Sequence, residues 1–233
     1  MPCNICGQDM ATYFCSKEGF DYVRCLSCRH VYVKNRIPTE EILKIYTTRT
    51  SHHSNQLKED WDFSDVKHLY FYQPILKTIC AFISAGKLLD IGCSTGAFLH
   101  AARKEGWDPE GVELELPSIK VAQKHSLRVH RATLDEMRFP NDFFSAVTMW
   151  GVLEHLADPT AVLQEIHRIL KPNGILAFST PNIASLGWKL LKTDWISIAP
   201  VAHLNLFSLQ SCRKLLQNTG YLEAISKPPE SQE

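Results

Sequence analysis

Short apolar runs alternate with helical patterns through residues 85–222, and this alternation limits the fold more than any other feature of the sequence. Strands are predicted at residues 88–91, 109–113, 127–130, 146–150 and 175–180, and helices at residues 97–105, 118–124, 160–170 and 208–219. Repeated β-α units imply a mostly parallel sheet with right-handed crossovers. The sequence therefore predicts an α/β fold built on a doubly wound sheet.

The first predicted strand ends in a glycine-containing turn within the segment LLDIGCSTGAFL. In a doubly wound sheet, ligands bind beyond the carboxyl ends of the strands. Asp90 closes the strand, Gly92 and Gly96 let the backbone approach a ligand, and a helix N-terminus follows. The spacing is neither G-x-G-x-x-G nor that of a P-loop. Because a carboxylate suits an ammonium group and a helix N-terminus suits a carboxylate, the turn predicts a site for the amino-acid end of a ligand.

A second acidic residue, Glu113, closes the next strand 17 residues after Gly96. A carboxylate at this place can accept hydrogen bonds from both hydroxyls of a ribose. An amino acid joined to a ribose describes S-adenosylmethionine, which is therefore the predicted cofactor.

Four of the eight cysteines form the pattern C-x2-C-x18-C-x2-C at Cys3, Cys6, Cys25 and Cys28. Two such pairs at this separation are typical of a tetrahedral zinc site, and the residues between them predict a hairpin that brings the pairs together. Disulfides and uncoordinated thiols are the alternatives, and disulfides fit poorly with a chain that shows no export signal. A closed four-cysteine site has no open coordination position, so we expect the zinc to be structural.

The residues after the two cysteine pairs differ in their conformational freedom. Gly7 follows the first pair, where a left-handed residue eases the turn, but Arg29 follows the second. If this turn needs a positive φ, Arg29 costs about 1 kcal/mol, which the binding energy of the metal would exceed.

Composition excludes several classes of protein. Lys+Arg and Asp+Glu both number 25, so the net charge is zero, which argues against a chain that coats nucleic acid or an anionic membrane. No signal segment or membrane-spanning run is visible, so we expect a cytoplasmic protein.

The predicted organisation is a zinc ribbon at residues 1–35, a connector and helix at 36–84, and a cofactor-binding domain at 85–233.

Several ordered motifs resemble one known family, the class I S-adenosylmethionine-dependent methyltransferases. LLDIGCSTGAFL is similar to the glycine-rich first motif of the family, GVELE to its ribose-binding segment, ATLDEMRFPNDFFSAV to its adenine-pocket segment, and WGVLEHLADP to the segment after its fourth strand. The resemblance implies a Rossmann-like methyltransferase fold. The cofactor-binding residues that the motifs imply are Asp90, Gly92, Cys93, Gly96, Glu113, Leu114, Thr133, Leu134 and Trp150.

The front end, CNICG…RCLSC…VYV, is similar to the zinc-binding domain fused to a subset of these enzymes. That subset methylates small molecules, including sugars and their nucleotide conjugates. The ubiquinone-biosynthesis O-methyltransferases share the segment VLEH and add a Glu three residues before its Glu. This chain has Gly151 there, which counts against a metal held by Glu154 and His155.

Two histidines are candidate catalytic bases for a methyl acceptor that must lose a proton. His203 lies in AHLNLFS, a segment similar to one in which this subset often carries a His, and His155 follows the fourth strand. Histidine is the commonest general base and is readily tuned to act near pH 7. The alternatives are a structural His203 that bonds a loop carbonyl and a His155 that packs against the core.

Three functions remain compatible with the sequence. The first is a methyltransferase acting on a small-molecule acceptor, such as a sugar or sugar nucleotide, and the second is an RNA methyltransferase that grips RNA through the zinc ribbon. The neutral charge makes a nucleic-acid partner the weaker hypothesis. The third is a non-catalytic S-adenosylmethionine-binding scaffold, which the fold alone does not exclude. The oligomeric state is not encoded in any motif.

Overall fold

The computed structural model describes residues 2–48 and 66–222. Part of the predicted connector and the last 11 residues lie outside these ranges. The nine strands of the described ranges are β1 Ala11–Lys17, β2 Phe20–Cys25, β3 Val31–Val33, β4 Lys87–Ile91, β5 Asp108–Glu113, β6 Arg128–Arg131, β7 Phe144–Trp150, β8 Leu170–Ser179 and β9 Asn205–Leu206. The eight α-helices described are α1 Thr39–Thr48, α2 Val66–Cys80, α3 Ala97–Lys104, α4 Leu116–Lys124, α5 Leu134–Met137, α6 Pro159–Ile169, α7 Leu186–Leu191 and α8 Leu209–Asn218.

The chain forms two compact units, and it enters each of them more than once. The cysteine unit contains Met1–Arg36, Glu154–His167 and Pro181–Glu233, and the parallel-sheet unit contains Ile37–Leu153 and Arg168–Thr180. The units therefore do not follow the three predicted segments as continuous ranges.

The parallel-sheet unit is built on five parallel strands in the order β6-β5-β4-β7-β8. Strands β4 and β7 are almost wholly buried, as is typical of a central parallel strand covered on both faces. The apolar core joins these strands to helices α2, α3 and α4. This architecture confirms the predicted doubly wound α/β fold.

One strand boundary differs from the sequence-based prediction. Strand β8 begins at Leu170, directly after α6, and its pairing with β7 jumps from Phe144↔Leu170 to Ala146↔Ile175. The intervening KPNG segment is an excursion in which Asn173 has φ 62°. Helix α2 contains Pro74 in its interior.

The cysteine unit is built on an antiparallel sheet in the order β1-β2-β3-β9. Strands β1 and β2 form the predicted hairpin. Strand β9 comes from the AHLNLFS segment, about 170 residues later in the chain, and pairs with β3 through Val31↔Leu206 and Tyr32↔Asn205. The buried apolar residues Cys15, Tyr22, Val31, Val33, Ile183, Ile198 and Leu206 form the core of this unit.

Neither described range contains a helix with the length and apolar content that crossing a membrane requires.

Candidate functional site

The predicted cofactor residues of the parallel-sheet unit follow the carboxyl ends of adjacent strands. Asp90 lies at the end of β4, Glu113 ends β5 and Trp150 ends β7, while Thr133 and Leu134 follow β6. Because the order is β6-β5-β4-β7 and all four strands are parallel, these ends meet at one edge of the sheet. Ligands of doubly wound folds bind at this edge.

Asp90 is a deeply buried carboxyl group, only 1% exposed. It lies opposite Thr148 in the register of β4 and β7, and Thr148 Oγ1 donates a 2.7 Å hydrogen bond to its Oδ1. Burial raises the pKa of Asp90 to about 8, and the charge of Glu113 contributes to the rise. The carboxyl group is therefore protonated at neutral pH in the free protein. No sequence motif marks Thr148, and its place opposite Asp90 follows from the strand register.

The turn after β4 is tightly packed around its two glycines, and a larger side chain at either position would clash with a neighbouring residue. Gly92 has φ 69°, and a Cβ there would lie 2.6 Å from Val152 Cγ2. Gly96 has φ 81°, precedes α3 as its N-cap, and would place a Cβ 2.5 Å from Leu127 Cδ1. Between them, Ser94 adopts φ 49°, where many members of the resembled family have glycine. The turn thus combines left-handed residues with the N-terminus of α3, whose dipole favours a negative group. The amides of Gly92, Cys93, Ser94 and Gly96 themselves donate to groups of the protein.

Glu113 is held by three backbone amides. Its Oε1 accepts from the amides of Leu114 at 2.6 Å and Glu115 at 2.9 Å, and its Oε2 accepts from the amide of Ser94 at 2.9 Å. A carboxylate offers about four lone-pair positions. One acceptor position therefore remains, so binding both hydroxyls of a ribose requires at least one of these bonds to be exchanged.

The other predicted cofactor-binding residues differ in their exposure and in their hydrogen bonds. Cys93 is 5% exposed, and burial raises the pKa of its thiol well above the usual value. Its amide donates to the carbonyl of Val112 at 3.2 Å and its carbonyl accepts from the amide of Gly96 at 2.9 Å, so Cys93 shapes the turn. Leu134 is buried and Leu114 is half-buried. Thr133 caps α5, where its amide and its hydroxyl both donate to Glu136 Oε2.

Trp150 carries a buried polar atom without a partner. Its Nε1 has no hydrogen bond within the described ranges, and its ring lies 5.1 Å from that of Phe98. A buried indole N–H normally finds an acceptor, so this one is consistent with a ligand group at the carboxyl edge of the sheet. The buried carboxyl group, the glycine turn and this donor together fit an amino-acid-bearing nucleoside.

The four predicted zinc ligands converge in the cysteine unit. The Sγ atoms of Cys3 and Cys28 are 3.6 Å apart, those of Cys6 and Cys25 are 3.5 Å apart, and all four lie within 4.8 Å of one another. Bonds of ~2.3 Å to a tetrahedral zinc ion place sulfurs roughly 3.8 Å apart, so the donor set fits zinc. No disulfide joins any of these cysteines.

The turns after the cysteine pairs behave as the sequence indicates. Gly7 has φ 70° and Arg29 has φ 64°, so both turns use a left-handed residue. Their amides close the turns onto the carbonyls of Cys3 at 2.8 Å and Cys25 at 3.1 Å. The second turn thus carries the backbone strain expected for a residue other than glycine.

The candidate catalytic histidines are neighbours in the cysteine unit. The rings of His155 and His203 are 4.8 Å apart in an edge-to-face arrangement. Nδ1 of His155 bonds the carbonyl of Ala202 and Nδ1 of His203 bonds the carbonyl of Ser197, each at 2.8 Å. A carbonyl only accepts, so both rings carry their proton on Nδ1 and, when neutral, an acceptor lone pair on Nε2.

Known proteins resemble the chain over its larger part. A family model described as a methyltransferase domain matches residues 65–222. A ubiquinone biosynthesis O-methyltransferase of Pasteurella multocida is 28% identical over 155 residues, which cover 58% of this chain and 64% of that protein. One of Actinobacillus pleuropneumoniae is 34% identical over 107 residues, covering 41% and 46%. The chain thus spans less than two thirds of the length of these relatives.

Solved structures show the same fold. An S-adenosylmethionine-dependent methyltransferase of Archaeoglobus fulgidus aligns with a TM-score of 0.53 at 20% identity, covering 68% of this chain and 74% of the other. One of Mesorhizobium loti aligns with a TM-score of 0.51 at 22% identity, covering 63% and 79%. Since the family model matches well over half of the residues, the chain belongs to the methyltransferase-domain family.

Proposed function

We propose that the chain transfers a methyl group from S-adenosylmethionine to a small-molecule acceptor. The supporting observation is the edge of the parallel sheet where β4 and β5 end, which combines a buried carboxyl group, a glycine turn and a second carboxylate. The family match to a methyltransferase domain supports the same reaction.

The proposed cofactor pose follows from charge. The ammonium group lies toward Asp90, the carboxylate toward the N-terminus of α3, and the ribose toward Glu113, with Thr133 and Leu134 beside the adenine. Because the pKa of Asp90 is about 8 in the free protein, pairing with an ammonium group requires this carboxyl to lose its proton. Binding at neutral pH should therefore release a proton.

The chemical step needs alignment and proton removal. When bound, S-adenosylmethionine supplies a methyl group already activated by its sulfonium. An acceptor that receives this methyl group would have to give up its proton, and the chain would supply the base that takes it. Nε2 of His203 is the proposed proton acceptor, since Nδ1 is already bonded to Ser197. Nε2 of His155 has the same chemistry and is the alternative.

The proposed class of methyl acceptor rests on the resemblance of the chain to other methyltransferases. The zinc-domain subset suggests a sugar or a sugar nucleotide, while the curated relatives are named for ubiquinone biosynthesis. An acceptor screen should therefore contain sugar nucleotides and phenolic compounds. The cytoplasmic location stays a prediction, as does the absence of a nucleic-acid partner.

Zinc is the proposed ion of the four-cysteine site, with a structural role. Four thiolates leave no coordination position for a substrate. Metal analysis of the purified chain should show about one tightly bound zinc, which Cys25→Ser should release. Retention of that ion by the variant would contradict the assignment.

Calorimetric titration with S-adenosylmethionine and S-adenosylhomocysteine tests the cofactor. We expect both to bind wild type, and we expect the measured enthalpy to depend on the buffer because a proton is released. Asp90→Ala should abolish binding while zinc is retained. Asp108→Ala is a matched control, because this carboxylate lies at the end of β5 opposite to Glu113 and pairs with half-buried Lys87 and exposed Arg128. Equal affinity of wild type and Asp90→Ala would contradict the proposed pocket.

An assay of methyl transfer distinguishes the proposed function from the scaffold and the RNA methyltransferase. Binding without methylation of any acceptor would favour the scaffold function, and salt-sensitive retention of RNA would favour RNA methylation. His203→Ala should lower turnover with little change in cofactor affinity. An equal loss of both would assign His203 a structural role.

A further inference from the structure

We propose that a cleft of the cysteine unit binds a small molecule that carries a diphosphate group, such as a nucleoside diphosphate. The cleft has a volume of about 560 Å³ and lies between helix α8 and the turn of the second cysteine pair, which contributes Ser27 and Cys28. Small-molecule sites in proteins usually measure about 300–1,000 Å³. Both walls belong to the same compact unit, and the binding is independent of the methyl transfer proposed above.

One face of helix α8 forms the polar wall of the cleft. It carries the lining side chains Gln210, Arg213, Lys214 and Gln217. Positions separated by three, four and seven residues share a face of an α-helix, and seven residues rise roughly 10 Å along it. The two cations therefore occupy the middle of a polar strip, with an amide side chain on either side.

The two cations are not held by other groups of the protein. Among residues 2–48 and 66–222, the side chains of Arg213 and Lys214 have neither a hydrogen bond nor an ion pair. Other cations of the same unit are engaged, since Lys17 donates to a backbone carbonyl at 2.9 Å and Arg24 lies 4.5 Å from the centre of an aromatic ring. Both cations of the cleft thus remain available to an anion.

The charge of the cleft is positive. The segments that form it, residues 24–30 and 208–222, contain neither Asp nor Glu. Burial, together with the charge of Arg29, lowers the pKa of Arg24, so a further cation lies in the turn of the second cysteine pair. The N-terminus of α8 adds the positive end of a helix dipole. An anionic ligand is therefore favoured over a neutral or a cationic one.

The donors of the cleft suit phosphate oxygens. Arginine binds a phosphate through two parallel N–H bonds, and lysine binds it as a compact charge. The hydroxyl of Ser27 and the two amide side chains can donate to further oxygens. The volume of the cleft exceeds what a single phosphate fills, and Leu209, a lining residue that is 43% exposed, offers an apolar contact for the nucleoside part of a larger ligand.

The zinc site is the alternative partner of the two cations. Zinc with four thiolates has a net negative charge, and Cys28 lines the cleft. Cys28 is only 5% exposed, however, and in the described part of the chain neither cation donates a hydrogen bond to its sulfur. Neutralisation of the thiolates therefore does not fix the place of either side chain, and the two explanations predict different effects when a cation is removed.

Calorimetric titration of the full-length, zinc-loaded protein with pyrophosphate and with uridine diphosphate tests the proposal. We expect both to bind, uridine diphosphate the more tightly. Arg213→Gln and Lys214→Gln should each weaken both affinities by about 10-fold, which corresponds to one hydrogen bond to a charged group. Arg213→Lys keeps the charge and should lose less. Lys189→Gln is the matched control, because it removes an exposed lysine of the same unit outside the cleft, and it should bind both ligands as wild type does.

Amide NMR of wild type is the second measurement and does not depend on any variant. Pyrophosphate should move the signals of residues 26–28 and 209–217 above all others. No binding of either ligand by wild type, signal changes elsewhere, or unchanged affinity in both Gln variants would overturn the proposal. A loss of zinc affinity in these variants with unchanged pyrophosphate binding would assign the cations to the zinc site instead.

Two further titrations separate the cleft from other phosphate sites. Asp90→Ala should bind pyrophosphate as wild type does, because the proposed cofactor pocket lies in the other unit; a joint loss would place pyrophosphate in that pocket. An RNA oligonucleotide distinguishes a free diphosphate from a nucleic-acid backbone. RNA binding that Arg213→Gln and Lys214→Gln remove, in a protein that binds neither small ligand, would assign the cleft to nucleic acid and overturn the proposal.

Discussion

Replacing Asp90 with Asn tests whether this carboxyl group is protonated in the folded protein. The group is 1% exposed, and its burial, together with the charge of Glu113, raises its pKa from 3.8 to about 8 against the lowering effect of the Thr148 hydrogen bond. The neighbouring Tyr72 phenol and Cys93 thiol have raised pKa values themselves and stay neutral below pH 8. Asn keeps an oxygen that can accept from Thr148 but cannot ionise.

The size of the effect follows from the difference between the two pKa values. The unfolded chain loses the Asp90 proton near pH 3.8, whereas the folded chain keeps it until about pH 8. Between these values the folded state binds one more proton, so the free energy of unfolding falls by about 1.4 kcal/mol per pH unit as the pH rises. The penalty is absent below pH 3.8 and reaches about 6 kcal/mol above pH 8.

Urea unfolding at several pH values between about 5 and 8 measures the effect. The free energy of unfolding of Asp90→Asn minus that of wild type should rise by about 1.4 kcal/mol per pH unit. The unpaired amide N–H of Asn adds a cost of about 1–3 kcal/mol that does not change with pH, so the slope is the test. Asp108→Asn should show a flat difference, because Lys87 and Arg128 lower the pKa of exposed Asp108. A flat difference for Asp90→Asn as well would refute the reasoning.

Three further changes have defined outcomes. Arg29→Gly should stabilise the zinc-loaded chain by about 1 kcal/mol in urea unfolding, because it removes the strain of φ 64°; no gain would show that the turn relaxes. Gly96→Ala should destabilise the chain by about 2–4 kcal/mol, since φ 81° and the 2.5 Å approach to Leu127 Cδ1 act together; a loss below 1 kcal/mol would contradict this. Deleting residues 1–36 should increase hydrogen exchange in residues 181–222, whose apolar side chains pack on the deleted strands. Undiminished protection there would show that this segment folds without them.

The sequence predicts best the features that depend on neighbouring residues. Asp158 caps α6 through the amide of Ala161 at 3.0 Å, with Pro159 at its first position, and Ser208 caps α8. These signals are chemical and local, because a side-chain oxygen satisfies an amide within the same turn. The sequence likewise located the turn in which Arg29 would be strained if its φ were positive, and φ there is 64°.

The features that the sequence does not predict depend on contacts between residues that are far apart in the chain. Strand β9 contains two residues, too few for an alternating pattern, and its partner lies about 170 residues earlier. Protonation of Asp90 depends on burial by several elements and not on the motif around it. The meeting of His155 with His203 likewise requires the backbone of the cysteine unit to be in place.

Asn205 shows why the cysteine segment and the histidine segment form one unit. Its side chain is 1% exposed, and its Oδ1 accepts from Asn4 at 2.9 Å and lies 3.1 Å from Nε2 of His30. Asn4 lies between two of the cysteines and His30 follows the last of them, while Nδ2 of Asn205 donates to Leu156. Removing the cysteine segment would therefore leave a buried amide with an unsatisfied oxygen, at a cost of about 1–3 kcal/mol. The segment that carries the four cysteines thus helps to hold the backbone beside His155, which no motif in the sequence reveals.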